Sequence, residues 1–313
     1  MKGFYKKTIY FLIPVFLVWG GVEIFYRTTE TNYSFKHKKL VERSKDLEIL
    51  ILGNSNALFG INPKYFTRET FNSSNISQSL YFDELIINKH IDSLSELKVL
   101  VLNISYFSLS QQDNASEDLW RKYFYDQQMK LEVPIVSNYQ IKKYSLALSR
   151  RFKKSAELMN EYIRNGTILT CDINGYGLQD ESNIVDDKEN IAQIIAEKHE
   201  NRSLDFLNNI NRLERIIMLC YKRDINVILV EMPVYKTYYD LLDPTKKNKI
   251  ITSCNKLSKE YNNVHYLKLS QHPEFINSDL RDADHLTNEG AKKCSLILDS
   301  FIESMLEKSY TVF

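Results

Sequence analysis

The sequence has few cysteines and few glycines, and its charges nearly balance. The four cysteines show no C-x-x-C spacing, so the pattern predicts neither a redox motif nor a cysteine-based metal site. Nine glycines in 313 residues are too few for a collagen-like or linker-like chain. A formal net charge of +1 gives no global field that would favour nucleic acid. We therefore expect neither a nucleic-acid partner nor a metal.

Phosphate-binding and nucleotide-binding fingerprints are absent as well, so no cofactor is predicted. What the sequence does contain is an ordinary globular composition, with 43% hydrophobic and 26% charged residues, enough for a sizeable core. The length allows one large domain or two small ones. Cys220 and Cys294 lie in apolar helical patterns and are expected to be buried thiols, although the sequence assigns no disulfide.

The first thirty residues differ from the rest of the chain. Three lysines precede an uncharged run, residues 8–22, and the apolar stretch continues past Glu23 to Tyr26. Counted from 8 to 26 it has 19 residues, close to the roughly 20 that a helix needs to cross a bilayer. A cleaved signal peptide is the alternative, but Trp19, Val22 and Glu23 stand where a small-x-small cleavage site is needed. We expect an uncleaved signal anchor.

This anchor predicts a single-pass protein of the cytoplasmic membrane. We divide the chain into an anchor (residues 1–27), a stalk (28–46) and a large domain (47–313) with an insertion at about 109–185. Positive residues flank both ends of the span, so charge alone does not set its orientation. The simplest topology keeps the N-terminus inside and places the domain in the periplasm or outside the cell. A lipase that faces the cytoplasm is the alternative.

Apolar runs alternate with helical patterns and predict an α/β protein with a parallel sheet. The four strongest runs, read as buried strands, are residues 47–52, 97–104, 226–231 and 264–269. Helices are expected between them, among them one near residues 64–71, and Thr287 is expected to cap a last helix. The pattern is weakest at residues 109–185.

Three residues could form a nucleophilic triad. A serine hydroxyl needs a base within hydrogen-bond reach, and the base needs an orienting partner. Ser55 directly follows the first strand, at the edge of the sheet where ligands bind in open α/β folds. His285 follows the last strand, and Asp282 precedes it by three residues. Asp284 is an alternative partner, although its adjacency to the histidine makes such a bond harder. His199 has no partner pattern and is expected to be structural or exposed.

Four stretches carry a family resemblance. ILGNSNALFGINP resembles the nucleophile block of membrane-anchored SGNH (GDSL-like) hydrolase proteins of bacteria, and DADHLTNEGAKKCS resembles their Asp-x-x-His block. SNISQSLYFDELI and MPVYKTYY resemble two further segments of the same proteins. The overall plan also resembles D-alanyl lipoteichoic acid transfer proteins and alginate O-acetylation proteins. The resemblance implies a three-layer, flavodoxin-like fold with Ser55, Asp282 and His285 as catalytic residues.

The resemblance also implies where an oxyanion would be bound. The family's second block offers a glycine, where this chain has Ser77 or Gln78, and only a backbone N–H is required there. The third block offers an asparagine, for which Asn103 is the candidate, although this side chain could equally face away. Asn56, beside the nucleophile, could line the pocket or simply form a turn.

These residues predict a serine esterase or O-acyltransferase that acts, through an acyl-Ser55 intermediate, on a cell-envelope polysaccharide. The transferred group is expected to be acetyl, and the expected partners are the glycan or acyl donor, the cytoplasmic membrane and a membrane-bound O-acyltransferase. A non-catalytic scaffold subunit with the same fold is the alternative, because the second and third blocks depart from the family pattern.

Overall fold

The computed structural model describes residues 2–180 and 184–310 and divides the chain into two compact units. The smaller unit consists of the chain up to Lys39 together with Asn114–Thr170. The larger unit consists of Leu40–Asp113 and the chain from Cys171 onward. The four cysteines are buried free thiols.

A five-stranded parallel sheet forms the centre of the larger unit. Its strands are β1 (Ile49–Leu52), β2 (Thr70–Asn72), β3 (Val99–Asn103), β4 (Asn226–Glu231) and β5 (Val264–Lys268). Their order in the sheet is β2-β1-β3-β4-β5, and every neighbouring pair is parallel. Because β1 and β3 are buried along their whole length, their sequences read as continuous apolar runs. The predicted α/β class with a parallel sheet is confirmed.

Eleven α-helices lie in the described ranges. They are α1 (Lys2–Thr28), α2 (Asn32–Glu42), α3 (Ser55–Gly60), α4 (Leu80–His90), α5 (Asp118–Gln127), α6 (Phe152–Asn165), α7 (Lys188–His199), α8 (Leu207–Tyr221), α9 (Lys236–Leu241), α10 (Pro244–Glu260) and α11 (Asn288–Tyr310). Given this strand order, right-handed crossovers place α3 on one face of the sheet and α4, α8 and α10 on the other face. The packing agrees, since α4 contacts α8 while α11 contacts α3. The sheet therefore has helices on both faces, in the flavodoxin-like order.

The order of the strands fixes where a site can form. The direction of strand addition reverses between β1 and β3, because β2 lies outside β1 and the later strands follow β3 on the other side. In doubly wound sheets the crevice at the carboxyl ends of two such strands is where ligands bind. Ser55 follows β1 and Asn103 ends β3, so both lie at this point.

The prediction of a helix near residues 64–71 is wrong. Only a short 3-10 turn, Pro63–Tyr65, forms there, and residues 70–72 become β2. Thr70 and Phe71 pair with Ile49 and Leu50 of β1, and both are buried. Pairing with an apolar strand outweighs the weak local helical pattern.

The smaller unit contains the N-terminal apolar helix. Residues 2–28 form α1, whose C-terminal part packs against α6 and the turn Leu146–Leu148. Within the part of the chain that is described, one helical stretch, Gly3–Glu42, is long and apolar enough to cross a membrane. A signal sequence would meet the same criteria of length and composition.

Candidate active site

Ser55 lies at a tight junction between β1 and α3. The backbone of Gly53 has φ +140°, and a Cβ there would lie 2.6 Å from Cβ of Asn103, so this position requires glycine. Asn54 caps α3, because its side-chain oxygen accepts the N–H of Asn56 at 2.9 Å. Ser55 is the first helical residue, and its backbone N–H has no hydrogen-bond partner in the described chain.

The structure brings Ser55, His285 and Asp282 together in a continuous hydrogen-bonded row. Nε2 of His285 lies 2.9 Å from Oγ of Ser55. Nδ1 of the same ring lies 3.0 Å from each carboxylate oxygen of Asp282. Oδ1 of Asp282 also accepts the backbone N–H of His285 at 2.8 Å. The carboxylate is therefore fixed against the imidazole, as a base and its orienting group require.

The loop that carries Asp282 and His285 is held at both ends. Leu280 and Leu286 form an antiparallel bridge, and the N–H of Arg281 donates to the carbonyl of His285 at 2.9 Å. Thr287 caps the last helix as predicted, since its hydroxyl oxygen accepts an N–H from the first turn of α11 at 3.1 Å. The histidine thus stands on a rigid turn.

Asp284 also contacts the imidazole, despite its adjacency in the chain. Its Oδ1 lies 3.3 Å from Nδ1 of His285, compared with 3.0 Å for both oxygens of Asp282. The Nδ2 group of Asn56 donates to the backbone carbonyl of Asp284 and lies 3.4 Å from its Oδ2. Two carboxylates therefore face one histidine, with Asp282 the nearer.

These charges shift the pKa values of the pair. Burial alone would raise the pKa of the Asp282 carboxyl, but the hydrogen bond and charge of His285 outweigh it, and the pKa lies well below its ordinary range. Burial by itself would lower the pKa of His285. The charge of Asp284 and the hydrogen bond to Asp282 outweigh burial and raise this pKa above the ordinary 6.5. The structure therefore favours the protonated form of the His285 imidazole and the ionised form of the Asp282 carboxyl.

The same three residues could also offer ligands to a cation. Donor atoms of Asp282, Asp284 and His285 all lie within 4.8 Å of one another. The free nitrogen of the imidazole, however, is directed to Ser55 rather than to the carboxylates. This arrangement suits proton transfer from the hydroxyl.

A network of three amides and one hydroxyl connects the ends of β1 and β3. Nδ2 of Asn103 donates to Oδ1 of Asn54 at 2.7 Å and to Oγ of Ser105 at 3.1 Å. The hydroxyl of Ser105 in turn donates to Oδ1 of Asn56 at 3.0 Å. Oδ1 of Asn54 accepts a backbone N–H, which fixes the orientation of that amide and hence the orientation of Asn103.

This network bears on the predicted oxyanion and pocket residues. Both amide hydrogens of Asn103 are used, so donation to an oxyanion would require one of these bonds to be exchanged. Its Oδ1 is buried and has no partner among the described residues. Asn56 does more than form a turn, because its side chain joins Ser105 to Asp284. The oxyanion role of Asn103 stays a prediction.

Ser77 and Gln78 differ in what their backbone can offer. Ser77 has φ +55°, a conformation that favours glycine, and no hydrogen bond is made by its N–H within the described residues. The N–H of Gln78 donates to the carbonyl of Asn75 at 3.1 Å, and its side chain donates to Asp83 at 2.7 Å. The N–H of Asn75 donates to the carbonyl of Gly53, so this turn lies beside the loop that carries Ser55. Of the two candidates, Ser77 has the available N–H.

Asp83, which sequence reasoning missed, supports both segments. This fully buried carboxyl of α4 accepts hydrogen bonds from the N–H of Gly53 and from the side chain of Gln78. Burial raises its pKa to about 7, although both hydrogen bonds and the charge of Arg212 act in the opposite direction. The only signal in the sequence is an acidic residue within an apolar helical stretch, LYFDELI.

His199 is a second histidine near the triad. Its Nδ1 lies 2.8 Å from the hydroxyl of Tyr238, and its ring packs on Phe107 with centroids 4.6 Å apart. Burial lowers its pKa, while the charge of Asp284 raises it and that of His285 lowers it further. Tyr238 also lines a cavity of about 30 Å³ beside Asp284, space for water rather than for a large ligand. A sequence pattern could not reveal the contacts among His199, Tyr238 and Phe107, because the three residues come from separate segments of the chain.

No family model and no curated protein matches this chain. Among solved structures it is similar to a Streptococcus pneumonia protein provisionally named as a platelet activating factor, with 11% identity, 85% of this chain and 90% of that chain covered, and a TM-score of 0.41. It is also similar to a GDSL-like lipase from Bacteroides thetaiotaomicron, with 12% identity, 86% and 91% covered, and a TM-score of 0.39. A provisionally assigned acylhydrolase from Bacteroides fragilis gives 12% identity, 85% and 96% covered, and a TM-score of 0.40. At such values the function has to be inferred from the side chains of this chain itself.

Proposed function

We propose that this protein is a serine esterase or O-acyltransferase in which Ser55 is the nucleophile, His285 the general base and Asp282 its orienting partner. One observation carries the proposal: the unbroken row from Oγ of Ser55 through the imidazole to the carboxylate, with distances of 2.9 and 3.0 Å. Unrelated folds activate a serine with such a row, and in this chain the row lies at the carboxyl end of a parallel sheet.

The proposed reaction has two steps. Oγ of Ser55 attacks the acyl carbonyl while Nε2 of His285 takes the hydroxyl proton, and the imidazolium then gives that proton to the departing alcohol. Water or a sugar hydroxyl next attacks the acyl-Ser55 ester, again with His285 as base, and the serine is regenerated. The two carboxylates would stabilise the positive imidazole in both steps.

Backbone N–H groups would stabilise the oxyanion of each tetrahedral intermediate by hydrogen bonds. The N–H of Ser55 and that of Ser77 have no partner within the described residues, which supports this role. Asn103 would contribute only after exchange of one of its present bonds. Asn56 would act through Asp284 by holding the loop of the histidine.

We further propose that the reaction takes place at the outer side of the cytoplasmic membrane, on a cell-envelope polysaccharide. The apolar length of α1 supports a membrane location. A membrane-bound O-acyltransferase is the proposed partner, and acetyl the proposed group. Protease digestion of the large unit in spheroplasts tests this placement, since a cytoplasmic domain would be protected.

The decisive experiment compares the wild type with Ser55→Ala in detergent. We expect labelling of the wild type by a fluorophosphonate probe and hydrolysis of an acetyl ester, both lost in Ser55→Ala and both retained in the control Ser253→Ala. If Ser55→Ala keeps both ester hydrolysis and glycan acetylation in cells, the proposal is refuted. Addition of an oligosaccharide acceptor separates transfer from hydrolysis by the fate of the acyl group.

A non-catalytic scaffold is the second candidate. The occupied amide of Asn103 favours it, because the third expected oxyanion donor is already bonded. This reading predicts that the wild type is not labelled by the probe, while deletion of the protein still abolishes glycan acetylation.

A further inference from the structure

In the smaller unit, α1 is hydrogen-bonded to a segment that lies 122 to 129 residues further along the chain. Nε1 of Trp19 donates to Oγ of Ser145 at 3.0 Å, and the hydroxyl of Ser145 donates to Glu23 at 2.7 Å. The hydroxyl of Tyr26 lies 2.9 Å from that of Ser155. These bonds run along the last third of α1, so the segment is fixed at one end of the apolar helix.

The length of α1 sets the depth of this segment. The uncharged residues 8–22 span only about 23 Å at 1.5 Å per residue, whereas a hydrocarbon core is about 30 Å thick. The full apolar stretch, residues 8–26, reaches about 29 Å. Its last part is held within the smaller unit, since Val22, Phe25 and Tyr26 are buried while Ile24 is exposed. A helix that spans the bilayer therefore brings residues 144–155 to the membrane surface.

Residues 139–152 expose apolar side chains that no other described residue buries. Tyr139 is 100% exposed, Ile141 67% and Phe152 61%, and Tyr144 is exposed as well. Scattered single apolar residues are common on surfaces, but these fall within fourteen consecutive positions. Aromatic and aliphatic side chains of this kind are typical of the boundary between headgroups and acyl chains.

The charge of the same segment has one sign. Residues 133–156 contain six lysines and arginines and no acidic residue. Lys154 pairs with Glu157 at 2.6 Å, but Lys142, Arg151 and Lys153 are exposed and make no ion pair within the described residues. The whole chain has a net charge of only +1, so this positive charge is local. Clusters of basic residues beside a membrane helix attract anionic lipid headgroups.

From these observations we infer that residues 139–154 form a membrane-surface platform that binds the anionic lipid headgroups around α1. Ile141, Tyr144 and Phe152 insert into the interface, and the basic side chains contact phosphate groups. The occupant is a lipid surface rather than a protein, because basic and apolar side chains are interleaved and the segment is fixed to the end of the apolar helix. The inference rests on the proposed membrane location of α1 but not on the chemistry of Ser55.

The test uses the full chain reconstituted into vesicles that contain lipid-borne quenchers. A fluorophore is attached at single introduced cysteines, since the four native cysteines are buried. Ile141→Cys and Phe152→Cys report on the platform, and Leu12→Cys reports on α1. Leu207→Cys is the control, an exposed apolar position of the larger unit. Vesicles of phosphatidylcholine are compared with vesicles that contain phosphatidylglycerol.

We expect quenching at 141 and 152 to exceed that at 207 by about threefold and to be stronger in anionic vesicles. The triple variant Lys142→Gln/Arg151→Gln/Lys153→Gln should reduce it to the level of neutral vesicles. The charge-matched control Lys222→Gln/Lys256→Gln/Lys259→Gln should leave it unchanged.

Quenching at Leu12 without quenching at 141 and 152 overturns the platform while α1 remains an anchor. Equal quenching in both vesicle types overturns the role of the basic residues. Absence of quenching at Leu12 removes the membrane location on which the inference rests. A protein partner would give a different result. In its presence alone, the fluorophores at 141 and 152 would be shielded both from lipid quenchers and from water.

Discussion

Nε2 of His285 lies 2.9 Å from Oγ of Ser55, although 230 positions separate the two residues in the chain. The contact requires both the strand order, which brings the ends of β1 and of the later strands to one edge, and the bridged turn that carries the histidine. Four predictions follow from the groups around this contact.

The two carboxylates that face His285 should differ in their effect on catalysis. Asp282 meets Nδ1 with both oxygens at 3.0 Å, whereas Asp284 offers one oxygen at 3.3 Å. We expect Asp282→Asn to lower kcat by about 10³–10⁴-fold, as loss of the orienting carboxylate does in serine triads. We expect Asp284→Asn to lower it by about tenfold. Steady-state hydrolysis of an acetyl ester measures both, and the reverse ranking would assign the orienting role to Asp284.

Activity should rise with pH across the folded-state pKa of His285. In the proposed mechanism His285 must be neutral to act as the base, and carboxylate charges raise its pKa above the ordinary 6.5 despite the opposing effect of burial. The acid limb of kcat/KM against pH is therefore expected above pH 6.5. Asp284→Asn removes the largest of the charges that raise the pKa, so its limb should move to lower pH. An unchanged limb in this variant would contradict the assignment.

Asp83 should make the protein less stable as pH rises towards neutrality. Burial raises its pKa from 3.8 to about 7, so the folded state binds a proton that the unfolded chain has lost. The free energy of unfolding should consequently fall between about pH 4 and pH 7, by at most about 4 kcal/mol, and level off above.

Urea unfolding in detergent at pH 5 and pH 8 measures this effect. Asp83→Asn should remove most of the difference between the two pH values, because the amide cannot ionise. The control Asp46→Asn changes an exposed carboxyl and should preserve the difference. A pH dependence that survives in Asp83→Asn would show that other groups are responsible.

Gly53→Ala should damage both stability and activity. The new Cβ would lie 2.6 Å from Cβ of Asn103, at a backbone φ of +140° that side chains rarely adopt. We expect a loss of about 2–4 kcal/mol in the free energy of unfolding, together with loss of labelling at Ser55. Gly166→Ala is the matched control, because its φ is also positive, +70°, but its Cβ would meet open space. A cost near 1 kcal/mol is expected there. Equal costs at the two positions would exclude the close approach to Asn103 as the cause.

Much of the sheet could be predicted from the sequence because its strands are buried on both faces. β1, β3 and β4 are nearly unbroken apolar runs, and such runs lie close to their observed bounds. The helices α5 and α7 were not predicted, since both lie in or next to residues 109–185, where the pattern is weakest. The short strand β2 falls where a helix was expected, because its three residues become a strand only through pairing with β1.

The candidate triad could be predicted for a different reason. A serine after the first strand and an Asp-x-x-His after the last are local patterns, and the topology of a parallel sheet is enough to bring them together. Asp83 and the amide network of Asn54, Asn103 and Asn56 could not be predicted in this way. Their roles depend on which hydrogen-bond partner each finds in three dimensions, and a buried carboxyl with a raised pKa has the same sequence signature as an exposed one.

The packing of α11 against α3 has a consequence for the timing of synthesis. The segment that supplies Asp282 and His285 is followed directly by α11. This helix packs against α3, which begins at Ser55. A growing chain that has already formed β1 to β4 still lacks both the proposed base and the helix that packs against α3. The proposed reactivity of Ser55 therefore cannot arise before this late segment has been made and has packed against the larger unit.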